Sequence, residues 1–255
     1  MIFASRPALA QLLLEEGKVE RTVNPGETIV ASLSIHNTAS YGVNVRLYWE
    51  DFMYTPPYDG TKKFLPAGSL PTSAIDMVRF DPQNITMEPF TKQKINYTIR
   101  VPQDIKGGYY GVLFAEQDLE EASKATGVRI ISRVGCLFFL EAVDKNKSAK
   151  LENLFIEDGS LIGAFVNEGD VIEIPKAVYY VLDSEGLAVS RGEIEEFYLP
   201  MNDRYQFKIA IPEELDRGRY NMVLTFDLGE GGSIVKEINF VKDVNSNIEL
   251  LAISD

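Results

Sequence analysis

The chain has 255 residues, with 25 basic against 38 acidic side chains for a net charge of −13. This acidic balance argues against nucleic acid or an anionic membrane as the main partner. A single histidine, His36, and a single cysteine, Cys136, exclude a structural zinc site, which wants about four such ligands, and any disulfide within the chain.

No apolar run approaches the roughly 20 residues of a membrane helix; the longest, residues 134–140, is strand-sized. Residues 1–10 read MIFASRPALA, and Ala8-Leu9-Ala10 has the small-x-small form of a cleavage site. The stretch is expected to be a truncated signal peptide or an ordered first strand. Alternation then predicts strands over 29–35, where Ala31, Leu33 and Ile35 share a face, and over 43–50. In the second, Val43, Val45, Leu47 and Trp49 point one way and Asn44, Arg46, Tyr48 and Glu50 the other. Residues 94–101 and 109–114 continue the pattern. Turn chemistry separates the runs at Asn24-Pro25-Gly26, Pro57-Tyr58-Asp59-Gly60 and Lys106-Gly107-Gly108. The proline-rich stretch 54–72 is expected to be a stiff connection capping one sandwich end, and 119–125 a short helix-like piece of loop.

The second half repeats the first. Tyr97-Thr98-Ile99-Arg100-Val101-Pro102 matches Phe207-Lys208-Ile209-Ala210-Ile211-Pro212. Six residues after each proline comes a glycine, Gly108 or Gly218, and two residues on a tyrosine, Tyr110 or Tyr220. Ser34-Ile35-His36-Asn37 has its counterpart in Gly163-Ala164-Phe165-Val166-Asn167. Several short strands per unit, with turns every 8–12 residues, indicate an all-β chain of two tandem Ig-like β-sandwich domains. The first is expected over 11–144 and the second over 149–243, split at the polar stretch 144–148, with 244–255 as a short tail that either frames a last strand or frays. Trp49 is expected as a buried aromatic anchor, and Tyr110 and Tyr220 as tyrosine-corner residues.

Candidate chemistry is sparse. His36 has no nucleophile or orienting carboxylate in a local motif, and Cys136, among Val134, Leu137 and Phe138, reads as a small buried apolar side chain. The carboxylates at Glu116, Asp118, Glu120 and Glu121, and at Glu193, Glu195 and Glu196, lack calcium-loop spacing and read as solvated edges. Gly229-Glu230-Gly231-Gly232 reads as a hairpin turn, and the two Asn-x-Thr triplets at Asn84 and Asn96 as chance. The expectation is no enzyme, no cofactor and no metal.

Several of these motifs resemble a known family. The turn Asn24-Pro25-Gly26-Glu27, the strand closing on His36-Asn37, Val78-Arg79-Phe80-Asp81-Pro82, and Val101-Pro102 with Gly108-Tyr109-Tyr110 are similar to the first domain of periplasmic pilus-assembly chaperones. The runs 108–114 and 127–131 also resemble the two-domain WxL-interacting surface proteins. The likeness spans about residues 18–242. The chaperone resemblance implies a pair of basic residues that anchor a client's C-terminal carboxylate: Arg21, with Lys18 as a rival, on the first strand, and Arg133 or Arg129 on the last strand of the first domain. It further implies that residues 128–140 donate a strand to the client, with Val128, Ile130, Ile131, Val134, Leu137 and Phe139 as donors. The residues themselves add that Leu137, Phe138 and Phe139 are consecutive apolar positions, as in a strand buried on both faces. Two readings stand. One is an exported, non-enzymatic cell-surface or envelope binding module. The other is a periplasmic chaperone for pilus-type subunits. The partner is another exported protein, such as a pilus-type subunit or surface protein, or an envelope polymer. The location is extracytoplasmic, in the periplasm or at the cell surface.

Overall fold

The structure, a computed structural model, describes residues 12–118, 132–230 and 232–254. The described residues form strands and turns without a helix, and the chain divides into two compact units. The first comprises residues 12–52 and 64–144, and the second 53–63 and 145–254.

In the first unit, one sheet runs β1 (Leu12–Leu14), β3 (Thr28–Asn37), β8 (Lys92–Arg100) and β6 (Val78–Asp81). The other runs β2 (Lys18–Val23), β10 (Arg133–Ala142), β9 (Gly108–Asp118), β4 (Val43–Tyr54) and β5 (Lys62–Pro66), with β7 (Asn84–Met87) also on β4. The ends of β4 and β5 run into 53–63. The alternation expected for 29–35 and 43–50 is present: Leu33 and Ile35 are buried from one sheet, and Val43, Val45, Leu47 and Trp49 from the other. Trp49 meets Phe138 at 5.2 Å between ring centroids, and Tyr97 meets the same ring at 5.3 Å. Each such large side chain contributes about 1.5–3 kcal/mol by leaving water. Gly111 makes room for the indole, since a Cβ there would lie 2.1 Å from a Trp49 ring carbon.

The first strand changes sheets between β1 and β2. β1 pairs antiparallel with β3, β2 pairs parallel with β10, and the link is fixed by Glu15 N–H donating to the Ser34 carbonyl and Ser34 N–H donating to the Glu16 carboxylate, both at 3.0 Å.

In the second unit, β11 (Ala149–Glu157), β12 (Ser160–Asn167) and β15 (Arg204–Ala210) form one sheet. The other runs β14 (Ala188–Ile194), β13 (Lys176–Leu182), β16 (Gly218–Gly229), β17 (Gly232–Lys242) and β18 (Ile248–Ser254). Phe165, Phe207 and Phe226 fill the centre, with Phe197 beside them. Tyr54 stacks on Tyr198 at 4.7 Å, and the Tyr198 N–H donates to the Tyr58 carbonyl at 2.8 Å.

The repeat seen in sequence has a structural counterpart. Asn37 and Asn167, both buried, end β3 and β12 and make the same three bonds. Asn37 Nδ2 donates to the carbonyls of Tyr41 and Glu88, each at 2.9 Å, while its Oδ1 accepts from Ala39 N–H. Asn167 Nδ2 donates to Val171 at 2.8 Å and Leu199 at 3.0 Å, while its Oδ1 accepts from Gly169 N–H. Tyr220 makes the expected corner, its hydroxyl donating to the Asp216 carbonyl four residues back at 2.9 Å. The Tyr110 hydroxyl lies over Gly108 and 3.5 Å from a Glu141 oxygen.

The stretch 244–255 takes the form of a last strand: 248–254 pair with β17 at the sheet edge. The stretch 54–72 is more than a connection, since it holds β5 and its residues 54–63 pack with the second unit. The helix-like stretch 119–125 lies outside the described residues.

Candidate functional site

No group of three or more metal-ligating side chains exists among the described residues. His36 sits on β3 opposite Leu13 and Lys92, with no nucleophile beside it in the register. Cys136 is fully buried, and burial, with a smaller push from Glu16, raises its thiol to about 12, so it is not a nucleophile at neutral pH. A cleft of about 490 Å³ in the second unit is lined by Val189, Leu215 and Tyr220 with the carboxylates of Glu214 and Asp216.

The strand on which the resemblance places function is β10. It lies inside its sheet, between β2 and β9. Its pairing is uneven: β9 accompanies it from Arg133 to Glu141, but β2 joins only from Leu137 to Ala142. Gln117 N–H donates to the Ser132 carbonyl and Ala142 N–H to the Gly107 carbonyl. In an antiparallel ladder, backbone groups alternate sides. Ser132, Val134 and Cys136 therefore turn theirs toward β9, and Arg133 and Gly135 turn theirs away. Leu137, next in that series, donates to the Gly17 carbonyl at 3.0 Å. Among the described residues, no strand pairs with the outer edge of Arg133 and Gly135.

The side chains around this short edge are tightly engaged. Arg133 Nη1 donates to the Tyr48 hydroxyl at 3.3 Å and lies 3.5 Å from a Glu50 oxygen. Its guanidinium stands 4.2 Å from the Phe114 ring centre and 5.4 Å from that of Phe64. Tyr48 in turn donates to Glu116 at 2.8 Å, and Glu116 accepts from Arg46 at 3.0 Å. Bonding to Tyr48 raises the Arg133 pKa above its ordinary value, and burial does the same for the Tyr48 phenol.

The expected anchor pair is not brought together. Arg21 pairs with Leu140 and Arg133 with Glu116, so they mark points seven residues apart on β10, about 23 Å at 3.3 Å per residue. Arg21 is exposed on β2 and donates to the Glu20 carbonyl. Its rival Lys18 lies 4.3 Å above the Phe139 ring and pairs with Glu20. Arg129 lies outside the described residues, as do Val128, Ile130 and Ile131. Of the donor candidates that are described, Val134 sits beside the open edge. Leu137 and Phe139 are already paired on both sides, and Phe139 is buried against Phe52 and Tyr110. The both-faces-buried pattern read at 137–139 is present: Phe138 and Phe139 are buried on opposite faces and Leu137 is half-buried. The residues that hold Arg133 were not singled out as a site. Their one signal was the polar and aromatic face of 44–50, which the alternation turns away from the core.

No protein-family model and no curated protein matches the chain. Solved structures do. One, described as a chaperone–tip adhesin complex vital for activation of CFA/I fimbriae biogenesis, matches with a TM-score of 0.55 at 10% identity, covering 89% of this chain and 97% of that one. The class 5 fimbriae chaperone CfaA matches with a TM-score of 0.53 at 10% identity, over 88% of this chain and 97% of that one. The fold is that of the two-domain pilus chaperones. At this identity the likeness concerns the fold, so the task is argued from the open edge of β10 and its surroundings.

Proposed function

We propose that the protein is an extracytoplasmic chaperone that receives an exported, unfinished β-sandwich subunit by strand addition at the start of β10. The observation that carries this reading is the pair of residues, Arg133 and Gly135, whose backbone groups face away from β9 beside the point where β2 joins. An unpaired row of N–H and C=O groups is the natural template for an added strand. The chaperone-like fold supports it.

On this reading the donor segment is 128–136, with Val128, Ile130, Ile131 and Val134 as donors. Leu137 and Phe139 take no part, because β2 occupies the edge from Leu137 onward. Arg21 keeps the role of carboxylate anchor, as an exposed cation on β2; Arg133 does not, because its guanidinium is engaged by its own sheet. The client is a pilus-type subunit, and neither nucleic acid nor a catalytic step enters. Among the described residues, no helix is long and apolar enough to cross a membrane.

The test is an affinity pull-down of the tagged full chain from its native cells, with mass-spectrometric identification of what stays bound. A stoichiometric small exported β-rich subunit is the expected result, and Arg21→Ala should weaken its retention. Envelope polymer, a large surface protein, or only copies of the chain itself would overturn the chaperone reading in favour of a surface module.

A further inference from the structure

The start of β10 has a structural problem. From Arg133 to Cys136 it has, among the described residues, one paired strand instead of two. A strand end held by a single ladder frays, and a frayed end cannot present its backbone in register. The side chains at this point answer that problem. Arg133 is the first residue of β10, and its planar guanidinium lies on the Phe114 ring of β9, with Phe64 of β5 also in range. Tyr48 and Glu50 of β4 accept from it or pair with it. One side chain therefore ties the onset of β10 to the three strands that follow it in the sheet. Gly135 completes the arrangement. A Cβ there would come within 2.8 Å of Phe114 Cε1 and of Val112 Cγ2, so the bare glycine lets the Phe114 ring lie across β10, where Arg133 can stack on it.

We infer that Arg133 is a positioning residue, a clamp that holds the onset of β10 flat on its sheet so that the outward backbone groups of Arg133 and Gly135 are presented to an added strand. The inference rests on the strand-addition reading for its purpose, but the clamp can be tested without a client. It also reverses the role implied by the chaperone resemblance, in which Arg133 would grip a client's carboxylate directly. The hold depends on planar stacking together with directed hydrogen bonding, so lysine is not an equivalent.

The experiment is residue-resolved amide hydrogen exchange by NMR on the full chain, for wild type, Arg133→Ala, Arg133→Lys and Gly135→Ala. The Val134 amide faces β9 opposite Ala115, while those of Phe138 and Leu140 lie deeper on the same ladder. The expected result is that Val134 exchanges at least tenfold faster in Arg133→Ala and in Gly135→Ala, with Phe138 and Leu140 within about twofold of wild type. Arg133→Lys should recover less than half of the lost protection on a logarithmic scale. An unchanged Val134, or an equal rise along all of β10, would overturn the clamp: the first shows no hold, the second only general stability. A second arm separates the clamp from the reading it serves. A fluorescent synthetic peptide of alternating valine and threonine is titrated into each variant. Binding to wild type, weakened at least fivefold in Arg133→Ala, supports both. Binding that the substitution leaves unchanged overturns the clamp alone. No binding to wild type counts against the open-edge reading, and the exchange result still decides the clamp.

Discussion

Asn37 and Asn167 show how much one side chain can settle. Each closes the turn after its strand by satisfying two backbone carbonyls and one amide, all within 3.0 Å. Replacing either by alanine leaves those buried groups without partners, at about 1–3 kcal/mol for each that water cannot reach. Asn37→Ala and Asn167→Ala should therefore each lower stability by about 2–4 kcal/mol in urea unfolding, whereas exposed Asn84→Ala should change it by less than about 0.5 kcal/mol. Cys136 gives a prediction with a sign. Burial holds its thiol at about 12, against about 9 when exposed, so the folded state keeps the proton after the unfolded chain has lost it. That contribution is intact below pH 9 and declines as pH rises from 9 toward 12, by up to about 1.4 kcal/mol per pH unit. Urea midpoints at pH 8 and pH 10 should fall for wild type. They should fall distinctly less for Cys136→Ala, which removes the titrating group and leaves only a constant offset.

At the scale of the element, what sequence could show depended on whether local pattern or long-range pairing decided the outcome. β3, β4 and β8 were legible because each buries mainly one face, and a period of two shows directly in Leu33 and Ile35 or in Val43 to Trp49. β10 was half legible. The run Leu137-Phe138-Phe139 announced burial on both faces, but nothing local says that β2 arrives parallel and only from Leu137 onward, which is what leaves the earlier edge open. The separation of Arg21 from Arg133 was hidden for the same reason: both are placed by register, and register is a property of two strands together. Gly111 is another case. Its neighbours read as an ordinary strand, yet an alanine Cβ would enter the Trp49 ring. Gly111→Ala should cost about 1–3 kcal/mol by overpacking. Because Trp49 is the sole tryptophan, its fluorescence should shift to longer wavelength as the indole is displaced. Unchanged emission with unchanged stability would show that the ring can move aside without loss.

For the whole molecule, the decisive fact is that the two units have separate cores. One is built around Trp49, Tyr97 and Phe138, the other around Phe165, Phe207 and Phe226. The chain nevertheless passes between them three times, because residues 53–63, in the middle of the first half, pack with the second unit. Its prolines and turn residues mark a connection, but nothing local assigns 53–63 to the second unit, so a boundary drawn from sequence at 144–148 could not include it. Its contribution is specific: Tyr54 is 2% exposed and stacked on Tyr198. Truncating it to alanine should cost about 3 kcal/mol, as for other large buried rings. Chains with two cores need not unfold in one step, and this segment gives a way to find out. In calorimetry of the full chain, Tyr54→Ala should lower one transition by on the order of 10 °C, and Gly111→Ala should lower the other, although position 54 lies only five residues from Trp49. If both substitutions instead lower a single shared transition equally, the two cores unfold as one unit, and the stability of each cannot be treated apart from its neighbour.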